Sequence, residues 1–398
     1  MKILMINLVC HYGSTGKICD EVADYVIKHG GEALVCSVNG LFDQCYHYKY
    51  ELKSEAFIKK VYNKLAGEES YRPLLQTKRL LKKINEYQPD IIHIHNIHHR
   101  VVDFKMLFDQ LSKMNIPIVY TLHDMWAMTG GCYCKWDCKK LLCKECSMKQ
   151  GDDADCSGKI AEIKLQEKIN AYKMQKKIVF TVPSEYLEDE ARNGILADYR
   201  IFKIANGLNI EQFKKKSDHS GVLDNYHGKK VLSCAAYWME RKGLYDFYKL
   251  ADLLGEDYQI ILVGYCDKSL QVEKDNITFM NQIDSPEKLA ELYSSADIYV
   301  SLSWSETFGM TIAEAACCGC RVAAYDNTGM GEVVTAAGGI AVPNRDINKM
   351  AEVIKKVCND KQAVTKETLD RVRATFSEKR MCSEFYNLYE SILQGDTE

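Results

Sequence analysis

Short β-branched runs alternate with longer helical stretches along this chain, and the alternation occurs twice. The first half carries KILMINLV, EALVCSV, DIIHIHN, PIVYTLHD, KIVFTVPS and YRIFKIAN; the second carries KVLSCAAY, QIILVGY, NITFMN, DIYVSLS, RVAAYD and GGIAVP. Strands separated by helix-length segments must return in the same direction, which predicts parallel sheets covered by helices. At 398 residues the chain exceeds the size at which one core keeps growing, so two domains are expected. The polar, basic stretch from Gly207 to Lys230 reads as the connector and sets a boundary at Asn206. The expected fold is therefore α/β, with two doubly wound parallel-sheet domains facing across a cleft. Such a cleft suits a substrate with two recognisable parts. Near the C-terminus, Met381, Phe385, Leu388, Tyr389 and Ile392 share one helical face, which needs a surface to bury against.

Bulk properties narrow the class. A net charge of −3 leaves no whole-chain footprint for nucleic acid. The opening MKILMINLVC is too short for a membrane span and lacks a signal-peptide layout, so a cytoplasmic protein is expected. Its 17 cysteines are an odd number in a long chain, which fits a reducing compartment better than a disulfide framework.

HYGSTGKI, residues 11 to 18, has the look of a phosphate loop but fails its requirements. The pattern G-x-x-x-x-G-K-[ST] meets His11 where the first glycine belongs and Ile18 where the hydroxyl belongs. The dinucleotide fingerprint fails as well, because no glycine stands two residues before Gly13. A strand, a glycine turn and a helix remain. In an open α/β sheet that turn lies where ligands bind, so Gly13 and Gly16 are candidates for close ligand approach. The rival for Gly16 is a packing role.

The stretch SWSETFGMTIAEAACCGC, Ser303 to Cys320, follows the strand DIYVSLS and opens a helix from about Phe308. Glu306 then lies before the helix and Glu314 about two turns inside it. Phe308, Gly309 and Met310 stand at its start, where free N–H groups favour a phosphate. One carboxylate on each side of a phosphate suits a nucleoside diphosphate sugar, with ribose on one side and sugar on the other. The plainer account makes Glu306 a cap and Glu314 a solvated helix residue.

On these residues the sequence resembles the retaining glycosyltransferases of family 4. The E-x7-E signature reads as Glu306 to Glu314, and YGSTGK, DIIHIHN, TLHDMWAMTGGC, PSEYL, NGLNIEQF, RKG and LVG follow in the family's order. The resemblance implies the GT-B fold of two Rossmann-like domains, 1–205 with 376–398 and 206–375, the C-terminal helix returning to the first. It also implies a metal-independent transferase of a hexosyl or N-acetylhexosaminyl group, with no catalytic cofactor. The donor would be a nucleotide sugar, UDP-linked by preference, and the acceptor a glycan or lipid-linked glycan of capsule, exopolysaccharide or lipopolysaccharide synthesis. In that family the first glutamate contacts the donor sugar and the second the ribose hydroxyls. An epimerase of the same fold and a glycan-assembly binding protein without turnover are the other readings.

RKG, Arg241 to Gly243, puts a cation near the expected diphosphate, where it neutralises a leaving group. Relatives carry an arginine five residues before this lysine; here that position is Tyr237, so Lys242 alone carries over and Arg241 is the candidate substitute. His123 ends the strand PIVYTLHD and matches the histidine that relatives hold near the donor sugar. Its rival role is a structural bond to Asp124. The histidines of IIHIHNIHHR are explained by alternation on a buried strand, with no zinc set completed. Cys132, Cys138, Cys143 and Cys146 crowd one loop and are compatible either with a structural zinc or with loose thiols. Residues 48–87 are basic, with Phe57, Ile58, Val61, Tyr62 and Leu65 interleaved among lysines. Such a helix either lies on an anionic membrane surface, making the protein peripheral on the inner face of the plasma membrane, or packs its apolar face into the core.

Overall fold

The computed structural model describes residues 1–66, 72–134, 158–216, 222–360 and 363–395. Within these the chain divides into two compact units, Met1–Ala205 with Met381–Glu398, and Asn206–Arg380. The first contains β1 (Lys2–Ile6), β2 (Val9–Cys10), β3 (Glu32–Ser37), β4 (Asn39–Gly40), β5 (His47–Lys49), β6 (Ile91–Ile94), β7 (Ile118–Thr121), β8 (Ile178–Val182) and β9 (Ile201–Lys203). Seven of them form one sheet in the order β5-β3-β1-β6-β7-β8-β9, and β2 pairs with β4. All of these pairings are parallel. Burial on both faces explains why the strands are continuously apolar. Alternation divides them between two cores: Leu4 and Ile6 of β1 enter one, Ile3 and Met5 the other.

The second core receives the C-terminal stripe. Met381, Phe385, Leu388 and Tyr389 of the helix Glu378–Gln394 pack there, as expected. The Tyr389 hydroxyl lies 2.6 Å from Nδ1 of His93 on β6, so a hydrogen bond adds direction to the apolar contact. Residues 376–380 stay with the second unit, five residues beyond the expected return. Phe376 is buried edge-on to Phe308, and the Leu208 amide donates to its carbonyl at 2.9 Å.

The second unit contains β10 (Lys229–Tyr237), β11 (Tyr258–Tyr265), β12 (Ile277–Met280), β13 (Ile298–Ser301), β14 (Val322–Asp326) and β15 (Ile340–Pro343), in the order β12-β11-β10-β13-β14-β15. Its pairings are parallel too. The chain moves outward from β10 through β11 to β12, then crosses back to β13. That reversal leaves a crevice beyond the carboxyl ends of β10 and β13, the switch point at which ligands bind in such sheets. The first sheet has the same reversal at β1 and β6.

Side-chain caps fix several helix starts. Ser184, Ser285, Asp346 and Thr365 accept from Leu187, Lys288, Lys349 and Thr368, each bond worth about 1 kcal/mol. The expected connector is not wholly solvated, because Leu208, Phe213 and Leu223 are buried. No described helix is long and apolar enough to cross a membrane.

Candidate functional site

At the switch point of the second sheet, the loop after β10 meets the loop after β13. The first contains the short 3-10 turn Glu240–Lys242 and then Gly243 at φ +78°. A Cβ on Gly243 would lie 2.3 Å from the Leu302 carbonyl oxygen, so glycine is required by both conformation and contact. Two further bonds join the loops: the Trp304 amide donates to the Arg241 carbonyl at 2.8 Å, and the Arg241 guanidinium donates to the Ser305 carbonyl at 3.3 Å. Arg241 thus braces the loop.

This bracing brings Lys242 to Glu306. Its Nζ is ion-paired with Oε1 of Glu306, both side chains about one quarter exposed. Burial alone would raise the Glu306 carboxyl; the Lys242 charge and hydrogen bond, Arg241 and a bond from Ser303 hold it below its ordinary value. The Glu306 side chain is thus held in its carboxylate form beside Lys242, and both side chains remain reachable from solvent.

The helix expected from Phe308 runs from Met310 to Cys317, with Gly309 before it at φ +104°. Phe308 is 4% exposed and turned to Phe376, so its side chain serves the core of the unit. Met310 is partly exposed at the first helical position. Glu314 accepts from the Tyr293 hydroxyl at 2.9 Å. The second carboxylate is therefore oriented by a buried phenol on the helix Pro286–Ser295, a partner 21 residues away that no motif announces. Sequence reasoning also missed the buried Trp304, whose Nε1 donates to Asp246 at 2.9 Å while the Arg345 guanidinium stacks 3.9 Å from its ring.

In the first unit, His123 Nε2 lies 2.9 Å from His95 Nδ1, the rings stacked at 5.2 Å. Asp124 pairs with His98 at 3.3 Å and accepts from the Trp126 amide, while His95 is a histidine partner of His123 that the rival account, a structural bond to Asp124, did not include. Burial lowers the His123 pKa to about 4, Asp124 opposing and His98 adding, which leaves a neutral imidazole. His93 and His95 are also lowered, chiefly by burial. His95 Nε2 and His98 Nδ1 are buried with no hydrogen-bond partner among the described residues. Both residues line a small cavity with Asn96, His123 and Asp124 at the ends of β6 and β7.

Gly13 and Gly16 differ. Gly13 has φ +68° and open space where a side chain would point. Gly16 is buried: a Cβ would lie 3.2 Å from Val9 Cγ2 and 3.3 Å from Cys10 and His11 backbone atoms. That contact favours the packing account. Cys132 is buried near the Thr129 hydroxyl, which donates to its carbonyl at 2.9 Å; Cys138, Cys143 and Cys146 lie outside the described residues. Among the described residues no cluster has metal-binding geometry.

The basic helix Lys53–Ala66 turns Phe57, Ile58 and Val61 outward, at 68%, 54% and 42% exposure. Glu55 on the same helix is buried and ion-paired with Arg79 at 2.9 Å, and the side chains of Tyr62 and Leu65 lie outside the described residues. The expectation that this apolar face packs into the core is therefore not met at these three residues.

Comparison with known proteins agrees with this architecture. The model for glycosyltransferase family 4 matches residues 16–212 and that for glycosyl transferases group 1 matches residues 215–374. A protein of Escherichia coli K12 named as a colanic acid biosynthesis glycosyl transferase is 23% identical over 322 residues, covering 76% of this chain and 77% of its own. The sucrose-phosphate synthase of Thermosynechococcus elongatus superposes with a TM-score of 0.74 at 18% identity, over 99% of this chain and 100% of that one. HepE of Anabaena, solved with UDP, gives 0.67 at 17% identity, over 98% and 100%. The two matched segments follow one another along nearly the whole chain, and the chain belongs to the glycosyltransferases.

Proposed function

We propose that the protein moves a sugar from a nucleotide sugar, UDP-linked by preference, to a glycan or lipid-linked glycan in surface-polysaccharide synthesis, retaining the anomeric configuration without a catalytic metal. The observation that carries this reading is the Lys242–Glu306 pair at the switch point, beside the start of the helix that holds Glu314. The relative named for colanic acid synthesis and the UDP complex of a structural neighbour support the acceptor and donor classes.

In this reading the diphosphate lies against Lys242 and the free N–H groups after Gly309, where a fixed cation and the helix dipole offset charge growing on the leaving group. Glu306 accepts from hydroxyls of the donor sugar. Glu314, steadied by Tyr293, accepts from the ribose. Tyr237 brings no cation to the phosphates, and the Arg241 guanidinium is engaged by the Ser305 carbonyl, so Lys242 carries the larger share. The acceptor is assigned to the first unit, where neutral His123 offers a hydrogen bond to a sugar hydroxyl rather than a charge. The outward Phe57, Ile58 and Val61 beside Lys53 and Lys60 support a peripheral position on the anionic inner face of the plasma membrane. Metal analysis decides between a structural zinc and loose thiols at Cys132, Cys138, Cys143 and Cys146: about one ion per chain if the loop is stapled.

The test is to incubate the protein with UDP-glucose, UDP-galactose and UDP-N-acetylglucosamine in EDTA, with membrane extract as acceptor source, and to follow donor and product anomers by NMR. An α-donor is expected to give an α-product, and Glu306→Gln to lose it. A wild-type chain that neither consumes nor is thermally stabilised by any nucleotide sugar overturns the function. Activity restored only by added magnesium or manganese overturns metal independence.

A further inference from the structure

Thr328 sits in a backbone conformation that β-branched residues avoid, with φ at +43°. It opens the helix Thr328–Ala336, directly after Asn327, whose backbone is extended. Strain of this kind persists only where the surroundings over-determine it, and it collects at functional sites. Here the surroundings are the loop that carries Glu306. The Thr328 hydroxyl accepts from the Glu306 amide at 2.9 Å and donates to Asn327 Oδ1 at 3.2 Å. The Gly329 amide donates to the Glu306 carbonyl at 2.9 Å. Asn327 Nδ2 donates to the Ser303 carbonyl at 3.0 Å and to Asn344 at 2.8 Å. Gly329 admits no side chain, since a Cβ would lie 2.2 Å from the Thr307 carbonyl oxygen.

Three consecutive residues after β14 thus hold both backbone polar groups of Glu306 and the carbonyl of Ser303. The Glu306 carboxylate is engaged from the opposite loop by Lys242. A glycine at 328 would adopt the observed φ without steric cost, but it has no oxygen to offer Glu306. The strained hydroxyl-bearing residue is the one that makes the bond.

We propose that Thr328 is a positioning residue for Glu306: its hydroxyl fixes the Glu306 amide and, through it, the direction in which the carboxylate leaves the loop. The inference rests on the reading of Glu306 as a donor-sugar contact. It separates stability from turnover, because removing the side chain relieves strain while freeing the loop.

The experiment compares Thr328→Gly, Thr328→Ser and Thr328→Val in the full chain by melting temperature, UDP affinity, UDP-sugar turnover and hydrogen exchange at the Glu306 amide. Thr328→Gly is expected to melt at or above the wild-type temperature and to bind UDP normally, with exchange at Glu306 and loss of kcat each about tenfold, the scale of one hydrogen bond. Thr328→Ser keeps the oxygen and restores both. Thr328→Val keeps the branch and behaves as Thr328→Gly does in exchange. Unchanged protection of the Glu306 amide in Thr328→Gly, or a serine variant as impaired as glycine, overturns the proposal. A wild-type chain inert toward nucleotide sugars sinks the proposed function alone, and the exchange data still decide the role of Thr328.

Discussion

Lys242 is ion-paired with Glu306, 64 residues further along the chain, because the loops after β10 and β13 are braced against each other at Gly243 and Leu302. Neither residue could be held by its own loop. The cation and the carboxylate belong to separate strand–helix units of one sheet, joined only by the crossover that places β13 beside β10.

Removing the ammonium with Lys242→Met deprives Glu306 of the strongest influence that lowers its pKa. Its carboxyl should then titrate at higher pH, so the acid limb of the kcat/KM profile should move upward as total activity falls about a hundredfold, the usual loss for one charge-stabilising group. Glu306→Ala should depress turnover while free UDP still binds. If turnover and UDP affinity fall together, the assignment of Glu306 to the donor sugar is wrong.

Glu314→Ala should weaken UDP by about 1.5–3 kcal/mol, the range for a charge-assisted hydrogen bond. Tyr293→Phe keeps the carboxylate but frees it to turn, so its effect should be smaller and of the same sign. Calorimetry with UDP measures both. Unchanged affinity in folded Glu314→Ala removes this residue from the ribose.

The buried histidines make the protein sensitive to acid. His93, His95 and His123 have pKa values lowered chiefly by burial, His123 to about 4, whereas unfolded histidine titrates at about 6.5. Between those values the unfolded chain binds more protons, so stability is full above about 6.5 and is lost as pH falls toward about 4. Melting temperature measured from pH 7.5 to 4.5 should drop across that window. A variant His93→Gln should flatten the drop, and a melting temperature that rises on acidification contradicts the argument.

Gly16→Val should act on stability first. An added Cβ would lie 3.2–3.3 Å from atoms of Val9, Cys10 and His11, tighter than ordinary contact. Overpacking of this kind costs about 1–3 kcal/mol. The melting temperature should fall, with turnover per folded molecule nearly normal. A folded variant with normal melting and lost turnover restores the ligand-approach reading of this loop.

Vesicle flotation reads the outward helix. Full-length protein should float with phosphatidylglycerol vesicles and less with phosphatidylcholine, and added salt should weaken binding. Phe57→Glu combined with Ile58→Glu should abolish flotation while leaving melting unchanged, because both side chains are exposed. Equal flotation of wild type and variant moves membrane contact elsewhere.

The sequence by itself determined the repeated strands, the boundary at Asn206, the apolar stripe from Met381 to Tyr389 and the two glutamates flanking a helix start. These are local: period, turn residues and spacing are written within a few positions of where they act. The edge strand β5, His47–Lys49, escaped because an edge position needs no apolar run. Only tertiary structure decided that Tyr293 holds Glu314, that His95 meets His123, that Thr328 grips Glu306, and that Phe57 faces solvent while Glu55 turns inward. Each depends on partners brought together by strand order or helix packing, and in a sheet wound outward from its centre the residues that meet at the switch point are far apart in the chain.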